Sequence, residues 1–303
     1  MSSITKNDKS NKSPNKTKIL SDNYLIIKKI GAGSFGEVFL AQNTKNGHYV
    51  AAKIEEKARV PRIYNEYKIY CYLHKKNFDK GLPKIYDFLG TADYNIMFMQ
   101  LLGPSLEDLF NQSNRGFKFH TVANIALNLI TLLEKLHNAE FIHRDIKPNN
   151  FLVDKDNQRT IYIMDFGLSK KYIIDNKHIK YRDKRSLIGT ARYASINMHM
   201  GIEPTRRDDL ESLGYMLIYF IKGSLPWQGI KRKPGNNNLE SIGECKICTS
   251  IDTLCENLPS CFKEYITYTR SLKYDETPNY EYLRNIFSNK INEIGITTCY
   301  EWC

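Results

Sequence analysis

The stretch HRDIKPNNFL, residues 143–152, decides how the rest of the chain is read. Apolar residues flank it: Phe141-Ile142 before, Phe151-Leu152-Val153 after, as in core strands. Between them stand a carboxylate (Asp145), an ammonium (Lys147) and an amide (Asn150). Polar groups this close to a core are costly unless each has a partner. The run therefore points to a built site. A second carboxylate, Asp165 in MDFG (164–167), follows a short apolar run.

Working outward, the first third alternates with a period of two. YLIIKKI (24–30), EVFLAQ (37–42) and HYVAAKI (48–54) read as strands, the last pair joined through Asn46-Gly47. A helix is expected near residues 62–74 and another strand over YNIMFMQLL (94–102). The remainder reads as mostly helical. TVANIALNLITLLEKLHNA (121–139) has helical apolar spacing, and LESLGYMLIYFIKG (210–223) is apolar on nearly all sides, as a buried helix is. The expected fold class is α+β with two lobes: a small β-rich lobe over 22–102 and a larger helical lobe over 103–303. Residues 1–21, rich in Lys, Asn and Ser, are expected to be a disordered basic tail.

The 303 residues suffice for such a pair of lobes. A formal net charge of +11 implies anionic partners. No basic motif interleaved with aromatics marks a specific nucleic-acid module. No apolar run reaches the roughly 18 residues needed to span a bilayer, and the start lacks the apolar region of a signal peptide. Seven cysteines include Cys245, Cys248, Cys255 and Cys261. The Cys-x-x-Cys opening suits zinc, but the second pair lacks that spacing, so thiols are the expectation. Reduced cysteines fit a cytoplasmic or nuclear location. Nothing in the sequence reads on oligomeric state.

GAGSFGEV (31–38) has the pattern G-x-G-x-x-G-x-V. Alone it is ambiguous, because dinucleotide-binding folds use similar glycines. There the glycines open a helix, whereas here EVFLA alternates like a strand. A glycine flap between strands lets backbone N–H groups approach phosphate oxygens. Lys53, on the third strand, is placed to reach the phosphates, and needs a carboxylate; Glu66 in the next helix is the best positioned, ahead of Glu55 and Glu56. Phosphoryl transfer needs a positioned hydroxyl, a metal and a route for the proton. Asp145 can accept the proton, Lys147 can lie near the moving phosphate, and Asn150 and Asp165 offer oxygens to Mg²⁺. The order H-R-D-x-K-x-x-N, then D-F-G, is specific because spacing and sequence agree.

These motifs resemble a eukaryotic protein kinase, with Lys147 as in serine/threonine kinases. LLGPSLEDLF (101–110), GTARYASIN (189–197), RRDDLESLGY (206–215) and GSLPWQG (223–229) resemble the casein kinase 1 family, from about Tyr24 to near the C-terminus. Ser195-Ile196-Asn197 stands where most kinases have A-P-E. The resemblance implies ATP and Mg²⁺ as cofactors, with the loop Gly31, Ala32, Gly33, Ser34, Phe35 and Gly36 over the phosphates. Ile30, Val38, Ala51, Leu152 and Met164 would sandwich the purine. Met99 would guard the back of the pocket, Gln100 and Leu102 would offer backbone groups to adenine, and Asp209 would anchor the catalytic loop. It also implies protein substrates that are acidic or already phosphorylated, recognised by Lys170, Arg185 and Arg192. Two departures stand out: Asn238 replaces a further basic residue, with Lys231, Arg232 and Lys233 nearby, and Asn149 replaces an Asp. Ser169, Tyr181, Ser186 and Thr190 lie where phosphorylation is conceivable, though the family is regarded as active without it. The short stretch after the domain predicts no autoinhibitory tail.

Two other readings compete. A pseudokinase scaffold would be favoured by loss of Lys53, Asp145 or Asp165, all present. A small-molecule phosphotransferase would lack the GTARYASIN segment.

Overall fold

The computed structural model describes residues 19–21, 23–33, 36–57, 61–230, 238–295 and 299–303. The strands β1 (Ile19–Ser21), β2 (Tyr24–Gly33), β3 (Gly36–Asn43), β4 (Tyr49–Glu56), β5 (Ile85–Gly90) and β6 (Tyr94–Gln100) form one antiparallel sheet in the order β1-β2-β3-β4-β6-β5. Side chains of a strand alternate between faces, and here the alternation sorts core from site. Val50 and Ala52 join Tyr24, Ile26, Ala41, Ile96 and Phe98 in a small core, where the Tyr24 ring stacks on Phe98 at 3.7 Å. Ala51 and Lys53, one position out of phase, belong to the other face.

The helix α1 (Arg62–Lys75) follows β4. Its N-cap is Pro61, which brings no side-chain cap. Glu55 serves instead, accepting from the N–H groups of Arg62 and Ile63 at 3.3 and 3.1 Å. That role removes Glu55 from competition for Lys53.

The helical lobe contains α2 (Leu106–Gln112), α3 (Phe119–Asn138), α4 (Ile196–His199), α5 (Arg206–Lys222), α6 (Asn238–Cys248), α7 (Ile251–Leu254), α8 (Ser260–Ser271) and α9 (Tyr280–Ile294). Every residue of α5 from Asp208 to Phe220 is buried, as the apolar run around it predicts. Short strands β7 (Phe141–Ile142), β8 (Phe151–Val153), β9 (Ile161–Ile163) and β10 (Lys170–Lys171) bracket the polar residues 143–150; β8 pairs with β9 and β7 with β10. The two-lobed α+β expectation is therefore met.

Several expectations need correction. Residues 19–21, assigned to a disordered tail, pair antiparallel with β2, Ile19 opposite Leu25, because the sheet edge supplies backbone partners the local composition cannot reveal. The strand expected over 94–102 ends at Gln100, and Leu101-Leu102 belong to the link between the lobes. The helix expected from 210 begins at Arg206, where Thr205 and Asp208 form a capping box. β5 was not anticipated; IYDFLG has no clean alternation. Residues 1–18, Ser34, Phe35, Lys231, Arg232 and Lys233 lie outside the described residues. Among the described residues no helix is long and apolar enough to cross a membrane.

Candidate active site

Between the lobes lies a cleft of about 1090 Å³. Its roof is the β2–β3 hairpin, in which Gly31 faces Val38 and Gly33 faces Gly36. The glycines thus join two strands and do not open a helix. Gly36 has φ +151°, and a Cβ there would sit 2.3 Å from the Ile54 carbonyl oxygen. Ile30, Gly31, Ala32, Val38 and Ala51 line the cleft from above, and Leu152 and Met164 from below. Met99 is buried at its back, opposite Ala51. Gln100 and Leu102 line the edge; the Gln100 N–H donates to the Lys84 carbonyl at 2.8 Å.

Lys53 Nζ meets Glu66 Oε2 at 2.7 Å and Asp165 Oδ1 at 3.1 Å. Burial opposes the ammonium charge, but Glu66 and then Asp165 overcome that and hold its pKa above the ordinary lysine value. Burial likewise opposes ionisation of Asp165, and the Lys53 ammonium holds this carboxyl below its usual range. Asp165 sits in the left-handed region, φ 62° and ψ 73°, a conformation that a non-glycine residue keeps only when its surroundings enforce it. Its N–H donates to Tyr70 of α1 at 3.3 Å, and Tyr70 packs edge-on against Phe166 at 4.9 Å. Helix α1 is thereby tied to the segment that carries Asp165.

The 143–150 stretch is held from below. Asp209 of α5 accepts from the N–H of His143 at 2.7 Å and of Arg144 at 2.9 Å. It also accepts from His137 Nε2 at 3.0 Å, while Tyr280 donates to His137 Nδ1 at 2.7 Å. Burial opposes the Asp209 charge; the His137 hydrogen bond and the backbone donor of His143 help hold its pKa below the usual value. Asp145, so positioned, receives Lys147 Nζ on Oδ2 at 2.6 Å and Thr190 Oγ1 on Oδ1 at 2.7 Å. Asn150, which lines the cleft, donates from Nδ2 to the Asp145 carbonyl at 2.7 Å, and its backbone carbonyl accepts from the Met164 N–H at 2.8 Å. The two carboxylates, the amide and two ammonium groups expected from the sequence are thus brought together.

The three cations expected to share one site have different partners. Lys170 and Arg185 converge on Glu203, a buried carboxylate, at 2.7 and 3.3 Å, with Arg144 at 3.9 Å. Arg192 instead lies over the rings of Tyr193 and Tyr219, at 5.7 and 5.6 Å. The spacing of basic residues cannot reveal the Glu203 partner, which arrives from later in the chain. Thr190, His137 and Lys246 were also missed as structural participants. Lys246 of α6 is fully buried beneath the 189–197 segment, where it donates to the carbonyls of Ala191 and Ala194. The cysteines of the 245–261 region are free; burial pushes the thiols of Cys255 and Cys261 up to about 11 and about 12. Asn238 begins α6 and is exposed.

A hairpin of glycines over a cleft, a doubly paired lysine and an anchored aspartate are features that the sequence order alone had linked. The family model described as the protein kinase domain matches residues 24–275, most of the chain. The chain belongs to the protein kinase family.

Proposed function

We propose that this kinase transfers the γ-phosphoryl group of ATP to serine and threonine hydroxyls, that it resembles the casein kinase 1 family, and that it favours acidic or phosphorylated protein segments. The observation that carries the reading is the Lys53 ammonium bound at once by Glu66 and Asp165, in one cleft with Lys147, Asn150 and Thr190, the three side chains that hydrogen-bond Asp145. Adenine would meet the carbonyl of Gln100, because its N–H is engaged by Lys84. Asp165 and Asn150 fit a hard divalent cation: both present oxygens, and Mg²⁺ takes one or two protein oxygens together with phosphate and water. When bound, that ion neutralises charge on the phosphates. Asp145 accepts the proton of the substrate hydroxyl, whose oxygen forms the new bond to phosphorus as the bond to the β–γ bridging oxygen breaks. Lys147 places positive charge beside the transferring group.

Lys147 and Ser195-Ile196-Asn197 support the serine/threonine and casein kinase 1 assignment. Preference for anionic substrates is supported by surplus charge: Lys170, Arg185 and Arg144 surround the single carboxylate of Glu203. The test is transfer of labelled phosphate from ATP to casein or an acidic peptide, beside a panel of sugars and amines. Asp145→Asn is expected to keep ATP binding and to lower turnover roughly 10²–10⁴-fold. Near-normal turnover in that variant refutes the assignment of Asp145. Transfer to the sugars in preference to the peptide overturns the protein-kinase substrate class.

A further inference from the structure

A second cleft, of about 980 Å³, shares no lining residue with the first. Helices α3 and α9 form its walls, with Lys80-Gly81 and the turn at Arg159-Thr160 closing the ends. Four cations line it, Lys80, Lys135, Arg159 and Arg284, against one acid, Glu281. Two of them are engaged: Arg284 pairs with Glu134, and Lys135 donates to the Lys80 carbonyl at 3.3 Å. The side chains of Lys80 and Arg159 are exposed and have no ion pair or hydrogen bond among the described residues. The floor is apolar, from Leu127, Leu132 and Ile161.

We propose that this cleft is a docking site for an acidic segment of a protein partner, one that sets carboxylates against the cations and an apolar side chain on the floor. Charge complementarity selects the class: with Glu281 and the Glu134 partner of Arg284 both counted, two surplus cations remain in one concavity, and they attract an anion and repel a basic peptide. The volume falls at the upper end of small-ligand sites, about 300–1,000 Å³, far more than one phosphate fills. The cations are spread over four separate pieces of chain, as suits an extended ligand. No aromatic side chain lines the cleft, so the stacking that holds single-stranded nucleic acid is missing.

The site is independent of the nucleotide cleft, and binding can be measured without ATP. The probe is a fluorescein-labelled oligoglutamate peptide carrying one leucine, titrated with the full chain by anisotropy. Lys80→Glu combined with Arg159→Glu is expected to weaken binding by about tenfold or more, equivalent to about 1.4 kcal/mol, with the melting temperature unchanged. Arg185→Glu and Asp145→Asn are expected to leave it intact, so a failure of the assignment made for Asp145 would not touch this result. Equal binding by the double variant, or loss of binding in Arg185→Glu alone, overturns the proposal. So does displacement of the peptide by orthophosphate, or tighter binding of an oligouridylate at the same cleft.

Discussion

Gly189 shows how little room a single position can have. Its φ is +82°, and a Cβ there would lie 2.3 Å from the Arg144 carbonyl oxygen and 3.2 Å from Asp145 Oδ1. Gly189→Ala is therefore expected to push the 189–197 segment off the catalytic stretch and break the Thr190–Asp145 hydrogen bond. Steady-state kinetics should show kcat falling at least tenfold, while ATP affinity by titration holds. Asp209 is a second such position. Asp209→Ala leaves the N–H groups of His143 and Arg144 and one nitrogen of His137 without their acceptor, and each buried orphan costs about 1–3 kcal/mol. Denaturant unfolding should register a loss of several kcal/mol. At this scale the sequence was most legible where the chemistry is local. Asp145, Lys147 and Asn150 lie within one turn of chain, so spacing alone assembles them. Thr190, Glu203 and Asp209 come from distant stretches, and no local pattern announces their approach.

Among the elements, α1 depends on a cap from the preceding strand. Glu55→Ala is expected to cost about 1 kcal/mol, as lost caps do, and to loosen the helix that carries Glu66. Thermal unfolding and the KM for ATP should both report it. The short helix α4 brings a pH dependence. Burial, then the charge of Lys246, depress His199 to about 4, from an ordinary value of 6.5. A histidine that is neutral when folded but protonated when unfolded favours folding above the unfolded pKa, and that advantage is lost as pH falls. Between about pH 6.5 and 4 the wild type should lose stability that His199→Gln does not lose, as denaturant unfolding at pH 7 and pH 5 would show. Asp208, pushed up to about 6 by burial, works in the opposite sense over part of the same range, so only the difference between the variants is diagnostic. Element boundaries followed the same logic of visibility. The alternating strands and the long helices could be read from their periods. The start of α5 could not, because apolar spacing marks the buried turns and the capping box of Thr205 and Asp208 adds one more.

Across the whole molecule, the division into a sheet lobe and a helical lobe followed from the change of period along the chain. The way the lobes meet did not. It rests on contacts such as Lys53–Asp165 and Tyr70–Phe166, which join residues roughly a hundred positions apart. The net charge of +11 acts at this scale too. Screening shortens to about 8 Å at physiological ionic strength and about 3 Å at 1 M, so kcat/KM for an acidic substrate should fall as salt is added, while that for a neutral peptide changes little. Glu203 leads to a broader consequence. By seating a carboxylate of its own among Arg144, Lys170 and Arg185, the chain supplies from within the counter-charge that an added phosphate would bring. Such an enzyme is expected to need no phosphate at this place to order the segment that carries Lys170 and Arg185. Phosphatase treatment should leave its basal rate where it was, and its output in the cell would then be governed by how much of it is made and which targets it meets.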